Sequence, residues 1–260
     1  MDSYCVEKQF DKLRVQVYGN RDEMGKAAAS RVAAKMRELI EQKGKVRMVF
    51  ASAPSQLDFL KYLREAPGID WSKVTVFHLD EYMGASIEDE YSFAKFIKEH
   101  IVDKVKPGKV YYMNGKNPDI EGECERYSNL ISREPIDIVC LGIGENGHIA
   151  FNEPHEADFN DPRLVKKISL DEKCRNQQYH DFGFASMDDV PRYAITMTVP
   201  AITGADYLYC IVPTDRKAEA VKETLTGPIT EKCPASILRT HDNAVLFLDR
   251  DAAKLVEGLI

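Results

Sequence analysis

None of the six cysteines (Cys5, Cys124, Cys140, Cys174, Cys210 and Cys233) falls in a C-x-x-C pair, so the usual redox and zinc-ribbon spacings are missing. The chain has no secretory h-region and no apolar run near the ~18 residues that a membrane helix requires. Lipidation signatures are missing too. These absences point to a reduced, cytoplasmic protein. The formal net charge of -7 leaves no basic surface for nucleic acid and disfavours an anionic membrane. There is no linker, internal repeat, low-complexity segment or appended helix-turn-helix, so residues 1–260 are expected to form one domain.

What is present is ordinary for a globular chain: 44% hydrophobic and 30% charged residues. Apolar runs alternate with amphipathic stretches. Leu13, Val15 and Val17 predict a strand closed by Gly19, and Asp22 offers an N-cap to a helix from Met24 to about Gln42 that stops at Gly44. VRMVFA, starting at Val46, predicts a second strand, and SAPSQLDFLKYL a turn into a helix with Leu57, Leu60 and Leu63 inward. VTVFHL (Val74 to Leu79), Val110 to Met113, Ile136 to Leu141, Tyr193 to Val199, YLYCIV (Tyr207 to Val212) and AVLFLD predict further strands. Helices are expected over Tyr91 to Val105, Glu121 to Ile131, Lys217 to about Leu225, Ala235 to Leu238 and from Ala252. This cadence implies an α/β fold: a single doubly wound, mostly parallel sheet with helices on both faces. Residues 155–190 lack periodicity and are expected to form a long, lid-like connection with a helix or two. Cys140 and Cys210, inside apolar runs, read as small core residues.

In such a sheet, ligands bind at the carboxyl ends of the strands. Residues of chemical interest fall there repeatedly. Free N–H groups over Ser52 to Gln56 suit an anion, though a plain loop capped by Ser52 or Ser55 fits the same residues. Asp80 and Glu81 follow a strand directly; they read either as a solvated helix cap or as a general base held among apolar neighbours. His78, within the strand, reads as a core residue. The run IDIVCLGIGENGHIAFNEP (Ile136 to Pro154) breaks at Gly142 and Gly144 and then places Glu145, His148 and Glu153 within nine positions. Lys217 lies in the first turn of a helix, against the dipole, which suggests an accompanying anion. H-x-x-x-x-E lacks the second histidine of the usual zinc spacings, so no metal is assigned. Arg163, Lys166 and Lys167 read as a solvated charge cluster.

The segments VTVFHLDEYMG and LGIGENGHIAFNEP closely resemble the glucosamine-6-phosphate deaminase (isomerase) family, and the likeness runs over most of the chain. The related 6-phosphogluconolactonases share the fold but typically carry H-T-A-S-L-F-P, without the glutamate that Glu153 provides. The resemblance implies conversion of glucosamine 6-phosphate and water to fructose 6-phosphate and ammonia, without metal or cofactor. It implies that His148 moves the ring-opening proton with Glu145 and Glu153 as its partners, and that Asp80 takes the C2 proton. It places the phosphate on the turn Ser52, Ala53, Ser55 and Gln56, on Gly144, on Arg175 and on Lys217. Two departures stand out: Ser52-Ala53-Pro54-Ser55 replaces a glycine-rich T-G-x-T turn, and Glu145 stands where many members have aspartate. The first motivates one alternative, an isomerase, deaminase or lactonase for another sugar phosphate; a non-catalytic sugar-phosphate sensor is a second, since the same scaffold can bind without turnover. The expected partner is a small sugar phosphate; homo-oligomerisation stays open.

Overall fold

The structure is a computed structural model and describes residues 5–259. Eleven strands occur among these residues, in two sheets. In chain order they are β1 (Cys5–Phe10), β2 (Leu13–Tyr18), β3 (Val46–Phe50), β4 (Val74–His78), β5 (Asp80–Tyr82), β6 (Lys109–Val110), β7 (Ile138–Leu141), β8 (Val165–Ser169), β9 (Tyr193–Met197), β10 (Tyr207–Val212) and β11 (Ala244–Asp249). The large sheet has the order β1-β2-β11-β10-β7-β3-β4-β6 and is parallel except at the β1–β2 hairpin. The small sheet, β5-β9-β8, is antiparallel.

Helices link the strands: α1 (Arg21–Lys43), α2 (Leu57–Glu65), α3 (Phe93–Ile97), α4 (Asp103–Val105), α5 (Ile120–Ile131), α6 (Glu172–Phe182), α7 (Val199–Thr203), α8 (Ala218–Thr226) and α9 (Arg250–Ala253). A π-helical turn over Lys98–Val102 joins α3 to α4. Alternation along the strands divides the core as strand geometry requires. Leu246 and Leu248 of β11 join the cluster under α5, α8 and α9, with Tyr127, Val221 and Ala252. Val245 and Phe247 face the opposite cluster under α1 and α2, with Met24, Val32 and Phe59. Both faces are thus covered, as expected for a mostly parallel sheet. Cys140 and Cys210 are buried core thiols. No helix among the described residues is long and apolar enough to cross a membrane.

Several local expectations change. Asn20, not Asp22, caps α1: its side chain accepts from Glu23 N, while Asp22 sits in the first turn. Gly44 ends that helix in the left-handed conformation, φ 72°. On α2 the inward residues are Phe59, Leu60 and Leu63; Leu57 is only partly buried. Strand β1, which carries no alternating signal, is held by its hairpin to β2. Within residues 155–190, α6 is the helix expected there, whereas the strand β8 was not expected. Lys166 is not solvated. It is buried, ion-paired to Asp161 at 2.9 Å and hydrogen-bonded to Glu156 O.

The connections run outward from the centre of the sheet. From β3 the chain proceeds to β4 and β6 on one side; from β7 it proceeds to β10 and β11 on the other. The loops after β3 and β7, which are adjacent strands, therefore diverge and open a crevice at the switch point.

Candidate active site

Four strand ends feed this crevice: Pro213 to Lys217 after β10, Gly142 to His148 after β7, Ser52 to Gln56 after β3, and Leu79 and Asp80 after β4. Together with Gln177, Gln178 and Asp181 of α6 they enclose a cavity of about 360 Å³, large enough for a small metabolite.

His148 is seated by its own loop. Its backbone N–H donates to Asn146 Oδ1 at 3.1 Å, which identifies that atom as an acceptor. Imidazole Nδ1 lies 2.7 Å from the same oxygen, so Nδ1 carries the hydrogen and Nε2 keeps a free lone pair. Gly144 leaves room for the ring: a Cβ there would stand 2.1–2.3 Å from imidazole atoms. The Asn146 amide also donates to Glu153 Oε2 at 2.6 Å. Glu153 is fully buried, with Oε1 at 3.5 Å from His148 Nδ1. Burial, then the charge of Lys217, pulls the imidazole down to about 3, and burial pushes Glu153 up to about 8. At neutral pH the contact therefore joins an uncharged imidazole to a carboxyl that is largely protonated; it is not an ion pair.

Asp80 begins β5, which pairs with β9 through Asp80↔Thr196. Its side chain is 6% exposed and has neither hydrogen bond nor ion pair among the described residues. Burial, reinforced by the neighbouring Glu81 charge, raises it well above the usual carboxylate range. The raised pKa and open coordination suit a general base. Glu81 has a structural task instead. It accepts from Ser92 Oγ and from the backbone of Phe93 and Ala94, capping α3 from a distance. His78 is the core residue anticipated: Nδ1 donates to Asp80 O, while Nε2 accepts from Met113 N, and burial lowers it to about 4.

At the other end of the cavity, Lys217 closes a 3₁₀ turn (Asp215–Lys217) before α8. It is buried, with no hydrogen-bond or ion-pair partner among the described residues, and burial lowers it to about 8. Opposite it, the turn after β3 runs into a 3₁₀ turn (Pro54–Gln56) and α2 without a side-chain cap. Ser52 and Ser55 are therefore not caps: Ser52 Oγ donates to Phe93 O, and Ser55 Oγ accepts from Gln56 Nε2. Pro54 lacks an N–H, but its carbonyl is held by the Arg21 guanidinium, which also pairs with Asp58. Arg21 thus supports the turn where the glycine-rich pattern is absent.

Ser52, Ala53, Ser55, Gln56, Asp80, Gly144, His148 and Lys217 all line the cavity, and Glu153 lies directly beneath His148. Two expected residues do not take their expected places. Glu145 is not a partner of His148; its Oε1 is in ion-pair contact with Arg216 at 2.6 Å, off the hydrogen-bonding direction. The φ of 87° at Gly147 and the Asn146 contacts turn the loop so that 146 and 153, not 145, meet the imidazole. Arg175 points away from the cavity and donates to Met187 O and Val190 O. With α6 starting at Glu172, positions 174, 177, 178 and 181 share its inner face and 175 does not.

Arg216, Asn146, Gln177, Gln178, Asp181 and Arg21 went unread in the sequence. Arg216 had a signal in its adjacency to Lys217, and Asn146 in its place inside the glycine-flanked motif. The glutamines had none, because their role depends on the phase of a helix with no apolar stripe.

Topology and crevice define a doubly wound α/β protein with its ligand site at the strand carboxyl ends. Within that class, the chain belongs to the family described as glucosamine-6-phosphate isomerases/6-phosphogluconolactonase, whose model matches residues 19–247. It is 35% identical over 223 residues to the glucosamine-6-phosphate deaminase of Bacillus cereus (strain B4264), covering 86% of this chain and 83% of that one. A solved monomeric glucosamine-6-phosphate deaminase superposes with a TM-score of 0.86 at 30% identity, covering 93% of this chain and 99% of that one. The 6-phosphogluconolactonase of Thermotoga maritima shares the fold, with a TM-score of 0.75 at 22% identity over 92% of this chain and 100% of that one.

Proposed function

We propose that this protein is a glucosamine-6-phosphate deaminase, converting glucosamine 6-phosphate and water to fructose 6-phosphate and ammonia. The observation that carries the reading is the placement of a bare imidazole nitrogen (His148 Nε2) and an unpartnered carboxylate (Asp80) in one cavity whose far end holds an unpaired buried cation, Lys217.

The phosphate dianion binds between Lys217, Arg216 and the backbone N–H groups of Ser52, Ala53 and Ser55 in the turn that opens α2, where Pro54 has no N–H and that of Gln56 is taken by Ala53 O. Arg216 takes the part the resemblance assigned to Arg175. With the phosphate held there, the sugar ring lies towards His148 and Asp80. Neutral His148 accepts the O1 hydroxyl proton on Nε2 and returns it to O5 as the C1–O5 bond breaks and the C1 aldehyde forms. No imidazolium needs to exist beforehand: burial favours the neutral ring, whose Nε2 lone pair is open to accept. Its N–H stays fixed on Asn146 throughout, so the ring keeps its orientation during the transfer.

Asp80 then removes the C2 proton. The electron pair forms C1=C2, O1 takes a proton from the C2 ammonium of the substrate, and an enolamine results. Return of the proton to C1 leaves an iminium at C2, to which water adds and from which ammonia departs. The altered turn bears on how tightly the phosphate is gripped, not on this proton chemistry.

The test is release of ammonia and fructose 6-phosphate from glucosamine 6-phosphate by the purified chain, alongside 6-phosphogluconolactone as a competing substrate. Turnover of the amino sugar supports the reading; a folded protein that hydrolyses only the lactone, or neither compound, removes it.

A further inference from the structure

Beneath the imidazole, three side chains of different metal-binding chemistry meet: His148, Glu153 and Cys174 each offer a ligand atom, and these atoms lie within 4.8 Å of one another. All three are buried, at 7%, 0% and 1% exposure. Glu153 Oε1 stands 3.5 Å from His148 Nδ1 and has no hydrogen-bond partner among the described residues. The Cys174 thiol lies against the same carboxyl and comes from the inner face of α6. Nothing in the proposed sugar chemistry uses this thiol.

An imidazole nitrogen, a thiolate and a carboxylate are the donors of borderline-soft divalent cations, with bonds of about 2.0–2.3 Å to zinc. In a tetrahedral site such donors stand roughly 3.3–3.8 Å apart, so sub-ångström to ångström side-chain shifts suffice here. We infer that His148 Nδ1, Glu153 and Cys174 form a binding site for Zn²⁺ or a similar divalent cation, with the fourth position left to water.

The charge balance favours it. A dication with one thiolate and one carboxylate is neutral, as is the metal-free cluster with a proton on each acid, so occupation buries no net charge. One proton leaves the thiol and one leaves the carboxyl. The imidazole hydrogen moves from Nδ1 to Nε2, and Asn146 Oδ1 gives up its contact with Nδ1. The cavity-facing nitrogen thereby becomes a donor and loses its capacity to accept a proton. The cation is therefore an inhibitor, not a cofactor, of chemistry that uses His148.

The binding test stands whether or not the chain is a deaminase. The full-length protein is titrated with Zn²⁺ against a chromogenic chelator, and with Co²⁺ as a spectroscopic probe. The expected result is one tight equivalent, with a thiolate-to-cobalt charge-transfer band that is lost in Cys174→Ser and kept in Cys233→Ser. Zinc affinity falls at least about tenfold in both Cys174→Ser and Glu153→Gln, since losing a direct ligand costs no less than losing an outer-shell partner. It rises about 100-fold per pH unit while both acids are protonated, one factor of ten for each proton released. Glu153→Gln removes a ligand without touching the thiol, so the test survives if the serine variant fails to fold. The inference is overturned by a wild-type protein with no charge-transfer band, by a band that persists in Cys174→Ser, or by a pH-independent zinc affinity.

Discussion

Asn146 Oδ1 receives two hydrogens from one residue, the backbone N–H of His148 at 3.1 Å and its ring Nδ1–H at 2.7 Å. This double contact fixes both the ring plane and the tautomer, leaving Nε2 as the acceptor in the cavity. Asn146→Ala is expected to lower kcat about 100-fold, through loss of orientation, while the Kd of an unreactive hexitol 6-phosphate stays within about twofold. Steady-state kinetics with a binding titration checks this; a loss carried by Kd would place Asn146 in substrate binding instead.

Arg216 and Arg175 separate function from scaffold. Arg216 reaches the cavity and pairs with Glu145 and Asp181, so Arg216→Ala should raise KM for glucosamine 6-phosphate about 10- to 100-fold with little change in kcat. Arg175 instead holds the carbonyls of Met187 and Val190. Arg175→Ala should leave KM near wild type and destabilise the fold by about 1–3 kcal/mol, measured by chemical denaturation. Exchange of these two phenotypes would return the phosphate to Arg175.

Lys217 sets a pH limit. Burial lowers it to about 8, so its ammonium is present below that pH and is lost as pH rises through it. Phosphate affinity should therefore weaken above about pH 8, seen as an alkaline limb in kcat/KM, which reports the free enzyme. Lys217→Arg, always charged, should remove that limb. A limb unchanged in the arginine variant would assign it to Glu153, which ionises in the same range as pH rises.

Thr214 stores backbone strain beside the cavity. Its φ of 78° and ψ of 151° lie in a region that L-residues rarely occupy, and its N–H is held there by both carboxylate oxygens of Asp249. Strain of this kind costs about 1–3 kcal/mol, against an entropic cost of about 0.5–1 kcal/mol for introducing glycine. Thr214→Gly should therefore stabilise the protein by about 1 kcal/mol, measured as a shift in denaturation midpoint at constant slope. Destabilisation would show that the threonine side chain contributes more than its backbone costs.

The legible part of this protein was the part encoded locally. Buried parallel strands such as YLYCIV and AVLFLD are continuous apolar runs because both of their faces are covered, and β10 and β11 fall on those residues. Glycine where the chain must turn or a ring must fit placed the His148 loop, and Asp80 and Lys217 were marked by their positions at strand ends. Strand β1 was not legible, since its stability comes from pairing with β2. The strand within residues 155–190 was not legible either: β8 is held by its ladder to β9, some thirty residues away in the chain.

Which of the charged residues face one another was decided only by tertiary structure. The sequence by itself determined the doubly wound architecture and a rim carrying Asp80, His148 and Lys217, because strand alternation and strand-end chemistry are short-range properties. Glu153 was expected beside the imidazole, but the sequence could not determine that Asn146 joins it there while Glu145 turns to Arg216. Nor could it determine that α6 presents Cys174, Gln177 and Gln178 inward and Arg175 outward. Those outcomes depend on the twist of one loop and the phase of one weakly patterned helix, each settled by contacts between residues far apart in the chain.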